Sequence, residues 1–167
     1  LHAGFARYFT SPKAELLSSE NVTRFQNTTN EPENFTNDKV RAERSSYYDA
    51  GISHKLTPHV TLGLDGYYRD VKNLLDEGQF GTALIYKPFN YRQAKIYGVE
   101  FTTDYRRDNL SAFVNIALQK AKARQIISGQ YLLENDELAY IANHDVNPDH
   151  SQKITGSAGV SYLFSLR

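Results

Sequence analysis

The sequence contains no cysteine, tryptophan or methionine among its 167 residues. Without cysteine the fold can have neither a disulfide framework nor a thiolate metal site. The 19 basic residues balance 19 acidic ones, so the net charge gives no reason to expect a nucleic-acid partner. No window approaches the roughly 20 consecutive apolar residues of a membrane-spanning helix. If this chain crosses a membrane, it must do so with strands.

Tyrosine (12 residues) and phenylalanine (9 residues) are abundant, which favours strands over helices. Six segments alternate polar and apolar residues with a period of two, and each approaches the roughly 9 to 11 residues that a tilted strand needs to cross a bilayer core. The segments are residues 1–9, 46–56, 60–71, 95–105, 110–120 and 153–164. The sequence therefore predicts an all-β protein.

Long and short connections alternate strictly along the chain. Thr-Pro-His at residues 57–59 and Arg-Asp-Asn at residues 107–109 are short turns, whereas residues 10–45, 72–94 and 121–151 form long connections. In antiparallel up-and-down strands, this order puts three long loops at one end and two short turns at the other. That asymmetry is typical of part of a large transmembrane β-barrel, with external loops and periplasmic turns. The second long connection is apolar and aromatic, which predicts an extended hairpin.

The two faces of the predicted strands differ in polarity. One face carries eight side chains that are predicted to line a wet lumen: Asp49, Lys55, Asp65, Arg69, Glu100, Asp104, Asn115 and Gln119. In a dry core, unpaired charges would each cost several kcal/mol. The other face has an aliphatic middle between aromatic strand ends, at Tyr48, Tyr68, Tyr97, Tyr105, Tyr162 and Phe164. This arrangement favours lipid over a soluble core.

Six strands are too few for a finished membrane protein. Single-chain bacterial barrels have about 8 or more strands, and an open sheet in lipid leaves edge groups that each cost several kcal/mol. The absence of methionine likewise indicates a processed chain or part of a longer one. We therefore expect residues 1–167 to be one partial barrel domain.

The stretch AKIYGVEFTTDYR, residues 94–106, resembles the A-x-x-x-G-x-E strand motif of TonB-dependent outer-membrane receptors. The sequences before it, ERSSYYDAGISHKLTPHVTLGLDGYYRDVKNLLD, and after it, NLSAFVNIALQKAKAR and PDHSQKITGSAGVSYLF, are similar to that family too. The resemblance covers nearly the whole chain and is weakest in residues 10–40.

The resemblance implies a 22-stranded barrel filled by an N-terminal plug in the outer membrane of a Gram-negative bacterium. Such receptors import scarce ligands (siderophore-type iron chelates, cobalamin or saccharides) with energy supplied through TonB. The plug, the TonB-contacting segment and the other barrel strands have no counterpart in this sequence, and the final FSLR lacks the terminal aromatic of a complete barrel. The ligand therefore cannot be carried over from the family.

Three loop aromatics, Tyr86, Phe89 and Tyr91, are candidate ligand contacts, and the favoured alternative is that they form an interfacial girdle or pack within the loop. No cofactor is predicted. A second cluster, His144, Asp145, Asp149 and His150, could ligate a divalent metal, but its spacing matches no metal motif, so we predict no metal site.

Two other functional classes stay open at this point. A soluble, secreted, β-rich carbohydrate-binding module would use the apolar faces as its core. An outer-membrane hydrolase is the less favoured possibility, because the sequence has no G-x-S-x-G elbow, and we predict that the protein is not an enzyme.

Overall fold

Six antiparallel strands form one open sheet in the computed structural model, which describes residues 1–13, 22–80, 86–149 and 151–164. The strands are β1 (His2–Thr10), β2 (Glu43–Thr57), β3 (Val60–Gln79), β4 (Tyr86–Arg107), β5 (Leu110–Ser128) and β6 (Ile154–Tyr162). Each strand pairs with its neighbours in sequence, in the order β1-β2-β3-β4-β5-β6. The predicted all-β, up-and-down architecture is confirmed, and the sheet is not closed within the described residues.

Both predicted short turns join neighbouring strands. Pro58 and His59 connect β2 to β3, and the Thr57 hydroxyl accepts the backbone N–H of His59 at 3.2 Å. Asp108 and Asn109 connect β4 to β5, with Asp108 in the left-handed region at a φ of 50°. Asp and Asn tolerate this conformation better than other residues with a side chain, which explains their place in the turn.

The strands β3, β4 and β5 continue well beyond their predicted ends. Residues 72–79 of β3 pair with residues 86–93 of β4, so much of the second long connection is a paired extension of the hairpin. The prediction that the third connection starts at residue 121 is wrong, because β5 continues to Ser128. These extensions have less regular alternation than the predicted segments, and the sequence pattern therefore understated their length.

Two residues in the left-handed region bend the sheet where the extensions begin. Asn73 has a φ of 55° and Gln125 has a φ of 58°, and they lie on either side of β4. In a regular strand Val71 and Leu74 would point to opposite faces, yet both belong to one buried cluster. The bend therefore turns the strand extensions over one face of the sheet.

The buried apolar residues of the described chain lie at this end of the sheet. The main cluster joins Val71, Leu74, Phe89, Tyr91, Ala94, Ala123 and Ile141. A smaller cluster contains Val22, Phe80 and Tyr131. We call this end the loop half, and residues 46–56, 60–68, 97–107 and 110–120 the turn half.

A nine-residue helix, α1 (Asn135–Asn143), covers the loop half next to β5, and the all-β prediction did not include it. Its start is a capping box, in which the backbone N–H of Glu134 donates to the Glu137 carboxylate at 3.1 Å. A 3-10 turn, Gln130–Leu132, precedes it, and another, Val22–Phe25, lies in the first long connection. No helix in the described ranges is long and apolar enough to cross a membrane.

The turn half exposes a continuous set of large apolar side chains on one face, which we call the apolar face. Tyr48, Ile52, Leu64, Val99, Phe101, Ile116 and Leu118 are each 40–52% exposed. The strand register places them together, since Leu64 pairs with Phe101 and Phe101 with Ile116. No described element packs over them. The opposite, polar face is the one over which the loop half bends.

Candidate functional site

The polar face carries all eight predicted lumen-lining side chains. The register sets Asp65 of β3 beside Glu100 of β4, and Lys55 beside Thr61, which pairs with Asp104. Asn115 donates to the Ser157 hydroxyl at 3.3 Å. The sheet brings these residues onto one surface, and their role as lumen lining stays a prediction.

A histidine that the sequence reading missed joins two of the acids. His2 Nε2 lies 2.9 Å from an Asp65 carboxylate oxygen and 3.9 Å from one of Asp49. In the register, Gly51 of β2 lies between His2 of β1 and Asp65 of β3. Because Gly51 has no side chain, the His2 and Asp65 side chains meet above it. His2 was missed because only the register of three strands reveals this proximity.

Tyr67 crosses a glycine to reach the strand beyond it. Its hydroxyl donates to the Gln119 side-chain oxygen at 2.7 Å, and Gly98 of β4 lies between them in the register. A Cβ at Gly98 would lie 2.5 Å from the Leu118 carbonyl oxygen and 2.8 Å from the Tyr67 hydroxyl. The glycine of the A-x-x-x-G-x-E stretch is therefore required by the close approach of the Leu118 carbonyl and of the Tyr67 ring.

Arg69 lies where the polar face meets the loop half. Its guanidinium forms an ion pair with the buried Glu43 carboxylate, and its Nε donates to the Ser45 hydroxyl at 3.1 Å. Glu43 also accepts the backbone N–H of Leu75 at 3.1 Å. Arg69 thus holds the start of β2 against β3, a structural role that differs from simple exposure to a lumen.

A cavity of about 700 Å³ opens between the strand extensions and α1, and we call it the loop cavity. Phe89, Tyr91 and Leu132 form its apolar wall. Asp136, Glu137 and Asp149 supply carboxylates, and no lysine or arginine is present among the described residues that line it. The cavity therefore combines an aromatic wall with a negative rim, a suitable environment for a neutral or cationic ligand with hydroxyl groups.

Tyr91 gives this cavity a buried polar group. The residue is 5% exposed, and its ring packs edge to face on Phe89 with centroids 5.1 Å apart. Burial raises the pKa of Tyr91, and the nearby carboxylates of Asp76, Asp149 and Glu137 raise it further. The hydroxyl is therefore neutral and can donate a hydrogen bond to a bound ligand.

Two of the three predicted loop contacts lie at the loop cavity. Phe89 and Tyr91 line it, whereas Tyr86 is 49% exposed and does not. The sequence reading missed Asp136, Glu137 and Tyr140, which α1 brings to the same cavity. The acidic first turn, with Asp136 and Glu137, was the available signal for this helix.

Asn90 fixes the strand extension that carries Phe89 and Tyr91. It is fully buried, and its side-chain nitrogen donates to the carbonyls of Arg41 at 3.0 Å and Asn73 at 2.9 Å. Its side-chain oxygen accepts from the Arg41 N–H at 2.7 Å and the Ser128 hydroxyl at 2.8 Å. This network joins the first long connection to three strands.

The candidate metal ligands His144, Asp145 and Asp149 do not form a metal site among the described residues. His144 stacks on Tyr140 with centroids 4.2 Å apart, and Asp145 lies 4.0 Å from Arg124. His150 lies outside the described ranges. No group of three potential ligands is found in the part of the chain that the structure describes.

An up-and-down sheet with one exposed apolar face, one polar face, long loops at one end and short turns at the other has the features of a membrane β-barrel wall. The profile of the family described as "TonB dependent receptor-like, beta-barrel" matches residues 1–166. The chain belongs to this family, which confirms the resemblance found in the sequence. No curated protein and no solved structure matches it.

Family membership fixes the general class of function. TonB-dependent receptors are outer-membrane transporters of Gram-negative bacteria that work with TonB, and the family is one of transporters rather than enzymes. The barrel domain implies outer-membrane transport through TonB.

Proposed function

We propose that the protein containing this barrel segment imports a scarce ligand, namely a siderophore-type iron chelate, cobalamin or a saccharide, with energy supplied through TonB. The observation that carries the proposal is the family match over residues 1–166 together with a wall that has an apolar and a polar face. The plug and the remaining strands come from other parts of the same receptor. The eight polar-face residues then line the lumen around the plug.

The loop cavity forms part of the ligand's first binding site. It lies at the end of the sheet with the long loops, the external side of such barrels. The negative rim at Asp136, Glu137 and Asp149 repels polyanions, so a neutral or cationic ligand binds better than a polyanionic iron chelate. The Tyr91 hydroxyl and the Phe89 ring favour a ligand that has both hydroxyl groups and an apolar surface.

Isothermal titration of the receptor that contains this chain, purified in detergent, tests the ligand class. A neutral oligosaccharide, cobalamin and a ferric chelate of high negative charge are the three probes. We expect Asp149→Asn to strengthen binding of the anionic chelate several-fold, with Asp108→Asn at the turn end as a control for the same change of charge far from the cavity. Tightest binding of the polyanionic chelate to the unchanged receptor would contradict the proposed selectivity.

Uptake in cells tests the energy source separately. Deletion of TonB should abolish accumulation of the bound ligand inside the cell and leave binding at the surface unchanged, because binding needs no energy input. Equal accumulation with and without TonB would contradict energised import.

A further inference from the structure

Basic side chains gather on the apolar face of the sheet, at its loop end. Four strands supply an aromatic row in which Phe5 pairs with Tyr48, Tyr48 with Tyr68 and Tyr68 with Tyr97, and Lys120 extends it on β5. The next two rows toward the loops contain further cations. We call the six residues Arg7, Arg44, Lys72, Lys95, Lys120 and Lys122 the basic band.

The register and the ring contacts agree on the direction of these side chains. The Arg7 guanidinium carbon lies 6.0 Å from the centroid of Phe5, a ring of the aromatic row. The Arg44 guanidinium carbon lies 6.0 Å from the centroid of Phe9, one strand away. Neighbouring rows, which are sets of paired residues on the same face of the sheet, are ~7 Å apart along a strand. The band therefore begins no more than ~7 Å from the aromatic row. The cations therefore lie at the depth where lipid headgroups meet a barrel wall.

The positive charge of the band has little compensation. Asp70 is the acid in the row of Arg7 and Lys95. Within the described residues, Lys72, Lys95, Lys120 and Lys122 form no ion pair with a carboxylate. At the turn end, by contrast, the outward row contains Arg107, and its Nε lies 3.7 Å from an Asp108 oxygen. The excess of positive charge is specific to the loop end.

Two grooves concentrate this charge. One, of about 490 Å³, is lined by Arg7, Arg44 and Lys72 with Asp70. The other, of about 430 Å³, is lined by Arg41, Arg44, Lys72 and Arg92, and no carboxylate belongs to its described lining. The grooves share Arg44 and Lys72, which also pair in the register of β2 and β3. Each groove has room for a phosphate group and donors on several sides.

An apolar depression lies directly below the grooves. It has a volume of about 640 Å³ and is lined by Tyr48, Gly66, Tyr68, Tyr97, Val99 and Leu118. A Cβ at Gly66 would meet only two carbonyl oxygens, at 4.0 Å, so the depression comes from the missing side chain and not from crowding. It can receive hydrocarbon next to the cationic grooves.

We propose that the basic band and its two grooves bind the phosphate groups of a phosphorylated lipid in the outer leaflet of the outer membrane, while its acyl chains lie in the apolar depression. Anionic groups complement the uncompensated cations, and the continuity of the band with the apolar face requires a ligand with a hydrocarbon part. A soluble protein partner lacks access to rows that adjoin the lipid-exposed surface. The long loops put this end of the barrel on the external side.

Lipid retention by the receptor that contains this chain tests the proposal. The receptor is reconstituted in nanodiscs of phosphatidylcholine with a minor fraction of lipid A or of phosphatidylglycerol, and retained lipids are counted by native mass spectrometry. We expect the unchanged receptor to retain phosphorylated anionic lipid in preference to phosphatidylcholine, and to lose this preference as salt rises. Equal retention of the charged and zwitterionic lipids at low salt would overturn the proposal.

A pair of double variants locates the site. Arg44→Gln with Lys72→Gln should weaken retention about thirtyfold at low salt, since each cation near a membrane surface contributes about a factor of five. Arg106→Gln with Arg107→Gln removes the same charge at the turn end and should leave retention unchanged. Equal losses in both variants would overturn the location. Displacement of the lipid by millimolar inorganic phosphate would overturn the lipid as the ligand. Because ligand uptake is not measured, the outcome does not depend on the proposed transport.

Discussion

The loop half and the turn half of the same strands differ in what covers their side chains. In the loop half, Val71, Phe89 and Ala94 are at most 6% exposed and pack beneath α1. In the turn half, Leu64 and Phe101 are 52% and 40% exposed, and no described element covers them. Chemically similar apolar residues thus serve two purposes. One half supplies its own core, and the other leaves its apolar face uncovered by any described element.

This difference also bears on the choice between a membrane receptor and the soluble binding module that the sequence left open. A soluble binding module needs the apolar faces as a dry core, and in this structure the core forms instead on the polar-face side of the loop half. The exposed apolar face fits the membrane receptor family to which the chain belongs. What distinguishes the halves is therefore the position of the protein core, which only the loop half has among the described residues.

A charge introduced on the apolar face should have the largest effect on assembly of the receptor. Phe101→Arg puts a cation midway between Tyr97 and Tyr105, and a cation at this depth costs up to about 4 kcal/mol. We expect the receptor to lose most of its heat-modifiable, folded form in outer-membrane fractions. Thr102→Arg, on the polar face of the same strand, is the matched control and should assemble nearly normally. Similar losses for both variants would contradict the assignment of faces.

Truncation of one leucine in each half compares the two kinds of packing. Leu74→Ala should destabilise the loop half by about 3 kcal/mol, because the residue is 8% exposed and the change leaves a cavity. Leu64→Ala should cost less than about 1 kcal/mol in a membrane, since acyl chains fill the space that the side chain leaves. Hydrogen exchange of the receptor in nanodiscs measures both. A larger effect at Leu64 would mean that the turn half has a protein core of its own.

Loss of a side-chain hydrogen-bond network should likewise cost more stability in the loop half than in the turn half. Asn90→Ala removes four side-chain hydrogen bonds of a fully buried residue and should cost about 2 kcal/mol, with faster proteolysis of the first long connection. Asn115→Ala removes one exposed hydrogen bond and should change proteolysis little. If both variants resist protease equally, the Asn90 network does not hold that connection.

The sequence predicted the turn half more accurately than the loop half, for a physical reason. Period-two alternation, as in residues 95–105, reflects two different surroundings of the two faces, and it predicted the turn-side ends of β2, β3, β4 and β5 to within two residues. The loop half packs on one side through a bend, so Val71 and Leu74 share a cluster at a spacing that no regular strand gives. Asn73 and Gln125 have no strong sequence signal for the left-handed region that they occupy.

The polar-face residues could likewise be predicted from the sequence, whereas most of the loop cavity could not. The eight polar-face residues follow from alternation alone, and the register adds His2 and Tyr67 to their surface. The loop cavity depends on α1 meeting the hairpin extension far away in sequence, so its acidic rim could not be foreseen. Of its residues, Phe89 and Tyr91 were found because the second long connection is rich in aromatic residues.

The smallest expected effect concerns the ionisation of Tyr91. Because its pKa is raised in the folded protein, the unfolded chain releases this proton first, at a pH near its ordinary value of about 10. Stability is therefore unaffected below that pH and falls as the pH rises above it, by about 1 kcal/mol at pH 11. Tyr91→Phe removes this term, so hydrogen exchange in the loop half should accelerate less between pH 9 and pH 11 than in the unchanged receptor. A parallel acceleration in both proteins would mean that the Tyr91 hydroxyl meets water freely.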